Sequence, residues 1–335
     1  MGVPPGATGA VRKPMTSERS LLLEWAQRDA IAHGRLSEAL ALVGITPAAA
    51  QWRQFLDRLL LWSGAALLGA AVIFFVAYNW THFGRFAKFA LVEVLMAAAL
   101  AIYWRFGVDR PPAKAGLLVA ALLMGALLAL FGQTYQTGAD TWELFATWAV
   151  LVLPWVLVGR FAALWLLWLV LVNTMAVLYF QTFHGVLGIV LHTDKQLLAL
   201  AALDTAALVA WELGAARWSW LRSRWAIRIV AVAAGSAITL LMLYAIVEWQ
   251  HASAAALIAY IAWIAIAYRV YRRWIPDLLV LAGLCFSLIV VITAFLATHL
   301  LDHAEAIGFL FIGVVVIGLS AGAAAWLRRV GMEQR

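Results

Sequence analysis

Apolar runs of about 20 residues recur along the chain, separated by short polar breaks, and each run is long enough to cross a hydrocarbon core about 30 Å thick. The pattern predicts an all-α polytopic membrane protein with about ten transmembrane helices. They fall near Leu59–Asn79, Phe86–Trp104, Lys114–Phe131, Trp142–Val158, Phe161–Phe180, Gln196–Leu213, Ile227–Trp249, Ala254–Tyr271, Leu278–His299 and Ala306–Leu327. Pro154 lies inside the fourth and is expected to kink it. Gly64 and Gly69, in the first, read as small residues for helix packing.

Ahead of the first run the periodicity is that of a small soluble module over residues 16–58. Thr16 caps a helix to Ala32, with Leu21, Leu22, Trp25 and Ile31 as its apolar stripe and Gly34 beyond its end. A short helix follows over Ser37–Val43. Thr46 and Pro47 then restart a helix that carries Trp52, Arg53, Phe55, Asp57 and Arg58 toward the membrane. The module reads either as a packing cap for the bundle or as a partner-binding domain. Residues 1–15 read as a disordered, Gly/Pro/Ala-rich leader. It has Arg12 and Lys13 but no apolar stretch behind them, so no cleavable signal peptide is expected.

Composition agrees with this class. The chain is 65% hydrophobic and 12% charged and has 18 Trp, which is what aromatic belts at two membrane interfaces require. Its mean hydropathy is +0.92. Cys285 is the single cysteine, so neither an intramolecular disulfide nor a Cys-rich metal motif is available. No P-loop, dinucleotide-binding glycine fingerprint or G-x-S-x-G elbow is present, and no cofactor is implied.

The net charge of +7 then reads as loop charge that orients the helices, not as a nucleic-acid footprint. With both termini in the cytoplasm, all 24 Lys and Arg fall on inside segments except Arg85, Lys88 and Lys195. This bias predicts a multi-pass protein of the bacterial inner membrane, N-in and C-in, with residues 59–327 as the membrane domain and 328–335 as a cytoplasmic tail. Ala215–Arg228 interleaves Trp218, Trp220 and Trp225 with four arginines and reads as an interfacial stretch facing lipid phosphates.

Polar groups inside or beside the apolar runs are the candidates for chemistry. Phe131–Asp140 holds Gln133, Thr134, Tyr135, Gln136, Thr137 and Asp140 between two strongly apolar stretches and contains no Lys or Arg. Glu93 and Asp204 lie within spans, where a charged side chain near the centre costs about 2.5–3.5 kcal/mol. Counted at about 1.5 Å per residue, Glu93, Asp204 and Asn173 share one depth in the outer half. Together they predict an outward-opening polar pocket with Gln133, Tyr135, Gln136 and Asp140 as rim or lid. The alternative is hydrogen-bond glue between helices. His299, Asp302 and His303, spaced for one helical face, form a weak candidate for a divalent metal such as zinc, against a solvated loop.

Phe131–Asp140, followed by Trp142-Glu143-Leu144-Phe145, resembles the signature of a bacterial family of predicted membrane proteins of unknown function. Tyr78-Asn79-Trp80, Leu153-Pro154-Trp155 and Ala163-Leu164-Trp165 extend the likeness over Leu21–Phe180. The resemblance implies an N-terminal helical region joined to a multi-span domain, and pairing with a second membrane protein that bears a GDYxxLxY motif. It implies no activity. Three readings remain from the sequence: a transporter or solute-binding protein with the outward pocket, a non-enzymatic partner or assembly protein for another multi-span protein, and a membrane enzyme acting on an envelope substrate. The ligand is left open, and the lipid bilayer is the one partner the composition demands.

The topology has a direct test. Reporter fusions within Gln133–Gly138 and after Arg329 are expected to report opposite sides of the membrane; the same side for both overturns the alternation.

Overall fold

The computed structural model describes residues 22, 24–26, 28, 30, 35, 38, 40, 49–78, 84–183, 193–248, 254–300 and 305–334. Ten helices among them are long and apolar enough to span a membrane. In hydrocarbon every backbone N–H and C=O must find its partner within the protein, and a helix does this within one segment. The helices are α1 (Ala49–Tyr78), α2 (Arg85–Phe106), α3 (Pro111–Tyr135), α4 (Thr141–Gly159), α5 (Ala162–Thr182), α6 (Thr193–Arg217), α7 (Arg224–Val247), α8 (Ala254–Arg269), α9 (Leu278–Leu300) and α10 (Glu305–Glu333). A 3-10 turn, Ser219–Leu221, joins α6 to α7, and α8 runs into a π-helical turn at Val270–Trp274.

Several helices outrun their apolar cores. α1 starts at Ala49, so the helix restarted after Pro47 and the first span are one element. α3 continues to Tyr135, four residues past Phe131, and α10 to Glu333. Pro154 sits inside α4, which continues to Gly159.

The described residues form two compact units, residues 1–63 with 335, and residues 64–334. In the first, Glu24 and Arg28 pair one helical turn apart at 2.6 Å, and the Trp52 and Phe55 rings meet edge to face. The expected helices over 16–32 and 37–43 lie largely outside the described residues.

In the second unit, neighbours in sequence pack as hairpins: α2 with α3, α4 with α5, α6 with α7, and α9 with α10; α7 also packs on α8 and α9. α3 is the most enclosed, with half of its most apolar stretch buried, whereas none of the corresponding stretch of α10 is. Close approach comes from missing side chains. A Cβ on Gly116 would stand 2.7 Å from the Ala99 carbonyl oxygen of α2, and one on Gly125 would stand 2.4 Å from the Trp148 ring. Of Gly64 and Gly69, only Gly69 packs, against Leu122 of α3.

Indole and hydroxyl donors then stitch the pairs. Trp148 Nε1 donates to the Ala121 carbonyl at 2.8 Å, Trp168 Nε1 to that of Ala149 at 3.1 Å, and Trp263 Nε1 to Thr205 Oγ1 at 3.0 Å. Ser287 of α9 meets Thr239 of α7 at 2.7 Å and Tyr260 of α8 at 3.0 Å.

Gly116→Ala is expected to lower stability by about 1–3 kcal/mol, because the carbonyl it strikes is held by its own helix. Gly283→Ala, which meets nothing within 4 Å, serves as the control in the same thermal unfolding assay in detergent.

Candidate functional site

The Phe131–Asp140 stretch resolves into two helix ends. Gln133, Thr134 and Tyr135 are the last turn of α3, and Gln136 ends it in the left-handed region at φ 46°. Gly138, at φ 66°, allows the next turn. Asp140 is the N-cap of α4 and forms a capping-box pair with Glu143, whose Oε2 accepts the Asp140 N–H at 3.2 Å. The spacing Asp140-x-x-Glu143 before an apolar run is the sequence signal for this pair. Gln133, Tyr135, Gln136 and Asp140 are all exposed. Tyr135 stacks near Phe131 and Phe89, which ties the end of α3 to α2.

Of the three intramembrane polar groups, two meet. Asp204 of α6 is buried at 5% exposure. Its Oδ1 accepts from Asn173 Nδ2 of α5 at 2.9 Å, and the same amide donates to the Leu169 carbonyl at 3.0 Å. This is a two-pronged clamp between helices. Glu93 is elsewhere. It is exposed on the flank of α2 and has no hydrogen-bond partner among the described residues. Its neighbours at helical spacing, Phe86, Ala90, Ala97 and Trp104, are exposed too, Phe86 at 72% and Trp104 at 89%.

Four cavities of about 370 to 740 Å³ lie between described helices, and none of these four is lined by Gln133, Glu93 or Asp204. His299 ends α9 with Nδ1 2.9 Å from the Phe295 carbonyl; Asp302 and His303 lie outside the described residues. Among the described residues no three His, Cys, Asp or Glu side chains gather as a metal site would need.

The strongest polar cluster is one the sequence pattern did not single out. Asp277 immediately precedes α9, and its side chain is 1% exposed. Its carboxylate accepts from Arg224 Nη2 at 2.8 Å and from Arg228 Nε at 3.0 Å, both on α7. It also accepts the Leu279 N–H at 3.0 Å and so caps α9. Arg224 reaches Glu212 of α6 at 3.2 Å, and Glu212 accepts the Tyr271 hydroxyl of the π turn at 3.0 Å. Arg272 of that turn pairs with Glu333 of α10. Burial alone would push the Asp277 carboxyl up. The hydrogen bonds and charges of Arg224 and Arg228 outweigh it and hold the group below the usual carboxylate range. The missed signal was Pro276-Asp277 before an apolar run, an N-cap pattern.

Fold and side chains together define a polytopic helical membrane protein. Residues 23–165 are similar to a family of predicted membrane proteins designated DUF2157, a match that takes in α1 to α4 and the Phe131–Asp140 stretch. No curated protein and no solved structure matches the chain.

A carboxylate whose folded pKa is depressed contributes stability above its unfolded pKa, about 3.9 for Asp, and loses it as pH falls through the folded value. The wild type is therefore expected to lose stability on acidification below that range, and Asp277→Asn to flatten the dependence. Asp277→Ala, which strands two arginines, is expected to cost about 3–5 kcal/mol in unfolding experiments at neutral pH.

Proposed function

We propose that the protein is a non-enzymatic membrane partner that holds a second multi-span membrane protein against α2. The observation that carries this reading is Glu93, exposed in the middle of an apolar span with no partner in its own chain. A carboxyl at that depth costs about 2.5–3.5 kcal/mol in lipid. The cost is offset once a neighbouring helix brings a donor. Helices associate in membranes through small residues that let backbones approach and through polar groups that bond across the contact. Ala90 and Ala97 flank Glu93 on one face, with Phe86 and Trp104 at its two ends. The occupant that fits is a transmembrane helix of another protein with an amide, hydroxyl or ammonium donor at matching depth.

The solute-binding reading would need Glu93 and Asp204 in one cavity. Asp204 is instead engaged by Asn173, and Glu93 stands apart on an exposed flank. The helical cap before α1, the expected N-in and C-in topology and the inner-membrane location are compatible with a holding role.

A photo-crosslinking side chain at Ala97, in native membranes, is expected to give a protein adduct that is lost with Glu93→Leu and kept with Glu93→Gln. The same probe at Val232, exposed on α7, should give lipid adducts only. An adduct of twice the chain mass points to a second copy as the occupant, and lipid adducts alone at Ala97 rule out docking on this face. Glu93→Leu should leave thermal stability in detergent unchanged or raised, since no bond within the chain is lost.

A further inference from the structure

Arg217 and the 3-10 turn that follows it border the largest of the four cavities, about 740 Å³, where the ends of α4 and α6 and the start of α5 converge. Trp165, Trp168, Trp218 and Trp220 form its walls, and Arg160 and Arg217 supply its charge. The rings are ordered. Trp220 stacks on Trp165 at 6.1 Å and on Trp218 at 6.4 Å, both with planes 26° apart. The frame is fixed by backbone contacts: Trp211 Nε1 donates to the Leu221 carbonyl at 3.3 Å, and Arg222 Nε to that of Ala215 at 3.2 Å.

The arginines of this end of the bundle fall into two sets. Arg224 and Arg228 are neutralised by Asp277 and Glu212. Arg228 also borders a cavity, of about 370 Å³, but its guanidinium is already bound. Arg160 and Arg217 form no ion pair with a described carboxylate, and both are exposed. The Trp165 ring N–H, in the first turn of α5, is buried without an acceptor among the described residues. Two unneutralised guanidiniums and a spare indole donor beside a wall of stacked rings are the complement of an anion joined to an apolar body.

We infer that this cavity binds an anionic amphiphile, a molecule with a phosphate-ester head and an apolar tail. The head meets Arg160 and Arg217, each of which forks to phosphate oxygens, and the tail lies on the tryptophans. The volume is that of a small-molecule pocket, about 300–1,000 Å³, enough for a head and the start of a tail, with the rest of the chain in the bilayer. This is a narrower claim than interfacial anchoring, in which any basic surface attracts anionic lipid without choosing it.

The full chain, purified in detergent, is exposed to equimolar phosphatidylglycerol and phosphatidylcholine, and retained lipid is counted by native mass spectrometry. Phosphatidylglycerol is expected to be retained about tenfold over phosphatidylcholine. Arg160→Gln with Arg217→Gln should abolish the preference. Both side chains are exposed and unpaired in the fold, so the helices survive the change, which circular dichroism verifies. Arg328→Gln with Arg329→Gln, outside the cavity, should keep the preference. Displacement of the lipid by excess inorganic phosphate supports the phosphate site and assigns it to a soluble ester; no displacement assigns it to lipid. Equal retention of the two lipids, or a preference that survives loss of Arg160 and Arg217, overturns the inference.

Discussion

A carboxylate cannot remain charged inside a helix bundle unless opposite charge goes in with it. Asp277 is where this protein meets that constraint. Its two guanidinium partners come from α7 and its two nearest backbone donors from α9, while Arg224 carries the network on to Glu212 of α6 and the Tyr271 hydroxyl. A buried pair of this kind adds little net stability over an apolar contact of the same shape, but it tolerates no mismatch. Three helices and a turn are thereby fixed in rotation and in height at one end. Because Arg224 and Arg228 are consumed there, the charge left over on the Arg160–Arg217 side is a separate resource.

Elsewhere the bundle is held by means suited to a solvent that is itself apolar. Lipid gives no hydrophobic force to push helices together, so contact depends on fit and on hydrogen bonds. Gly116 and Gly125 provide fit between α2, α3 and α4. Single indole, amide and hydroxyl bonds provide the rest: Trp148 to Ala121, Trp168 to Ala149, Asn173 to Asp204, and Ser287 between Thr239 and Tyr260. Each is modest, yet each sits between a different pair of helices, so the set specifies an order of packing that apolar surfaces alone would leave degenerate.

The ten helices were legible in the sequence because an apolar run of membrane length admits almost one structure. Depth was partly legible too. Counting from the span ends placed Asn173 and Asp204 level with each other, and they are hydrogen-bonded. The same count placed Glu93 level with them, but level is not facing. Depth follows from position along one helix, whereas convergence depends on the rotation of several, which a single sequence does not carry. The Phe131–Asp140 stretch looked like a loop for its polarity, and half of it is helix, since a polar residue at a membrane surface keeps its helical hydrogen bonds as readily as an apolar one. Asp277 was overlooked because it sits beside arginines in a basic loop, where a lone acid reads as solvated. Its burial follows from the approach of α7 to α9, a contact nearly fifty residues away in sequence.

The π turn at Val270–Trp274 makes the spacing of the chain, as well as its composition, part of the charge network. There the Ile275 N–H reaches back five residues to the Val270 carbonyl, at 2.9 Å, and the Asp277 N–H reaches back to that of Tyr271. A π turn is an α-helix carrying one residue more than its hydrogen-bond ladder needs. Each residue of an α-helix turns the chain by about 100°, so a loss of one residue here would heal the ladder into regular helix and swing everything after it around the axis. Asp277 would keep its identity and its neighbours in sequence, and still face away from Arg224 and Arg228. At this point of the chain a deletion is a harsher change than almost any substitution, because it alters the angle at which the next helix is delivered.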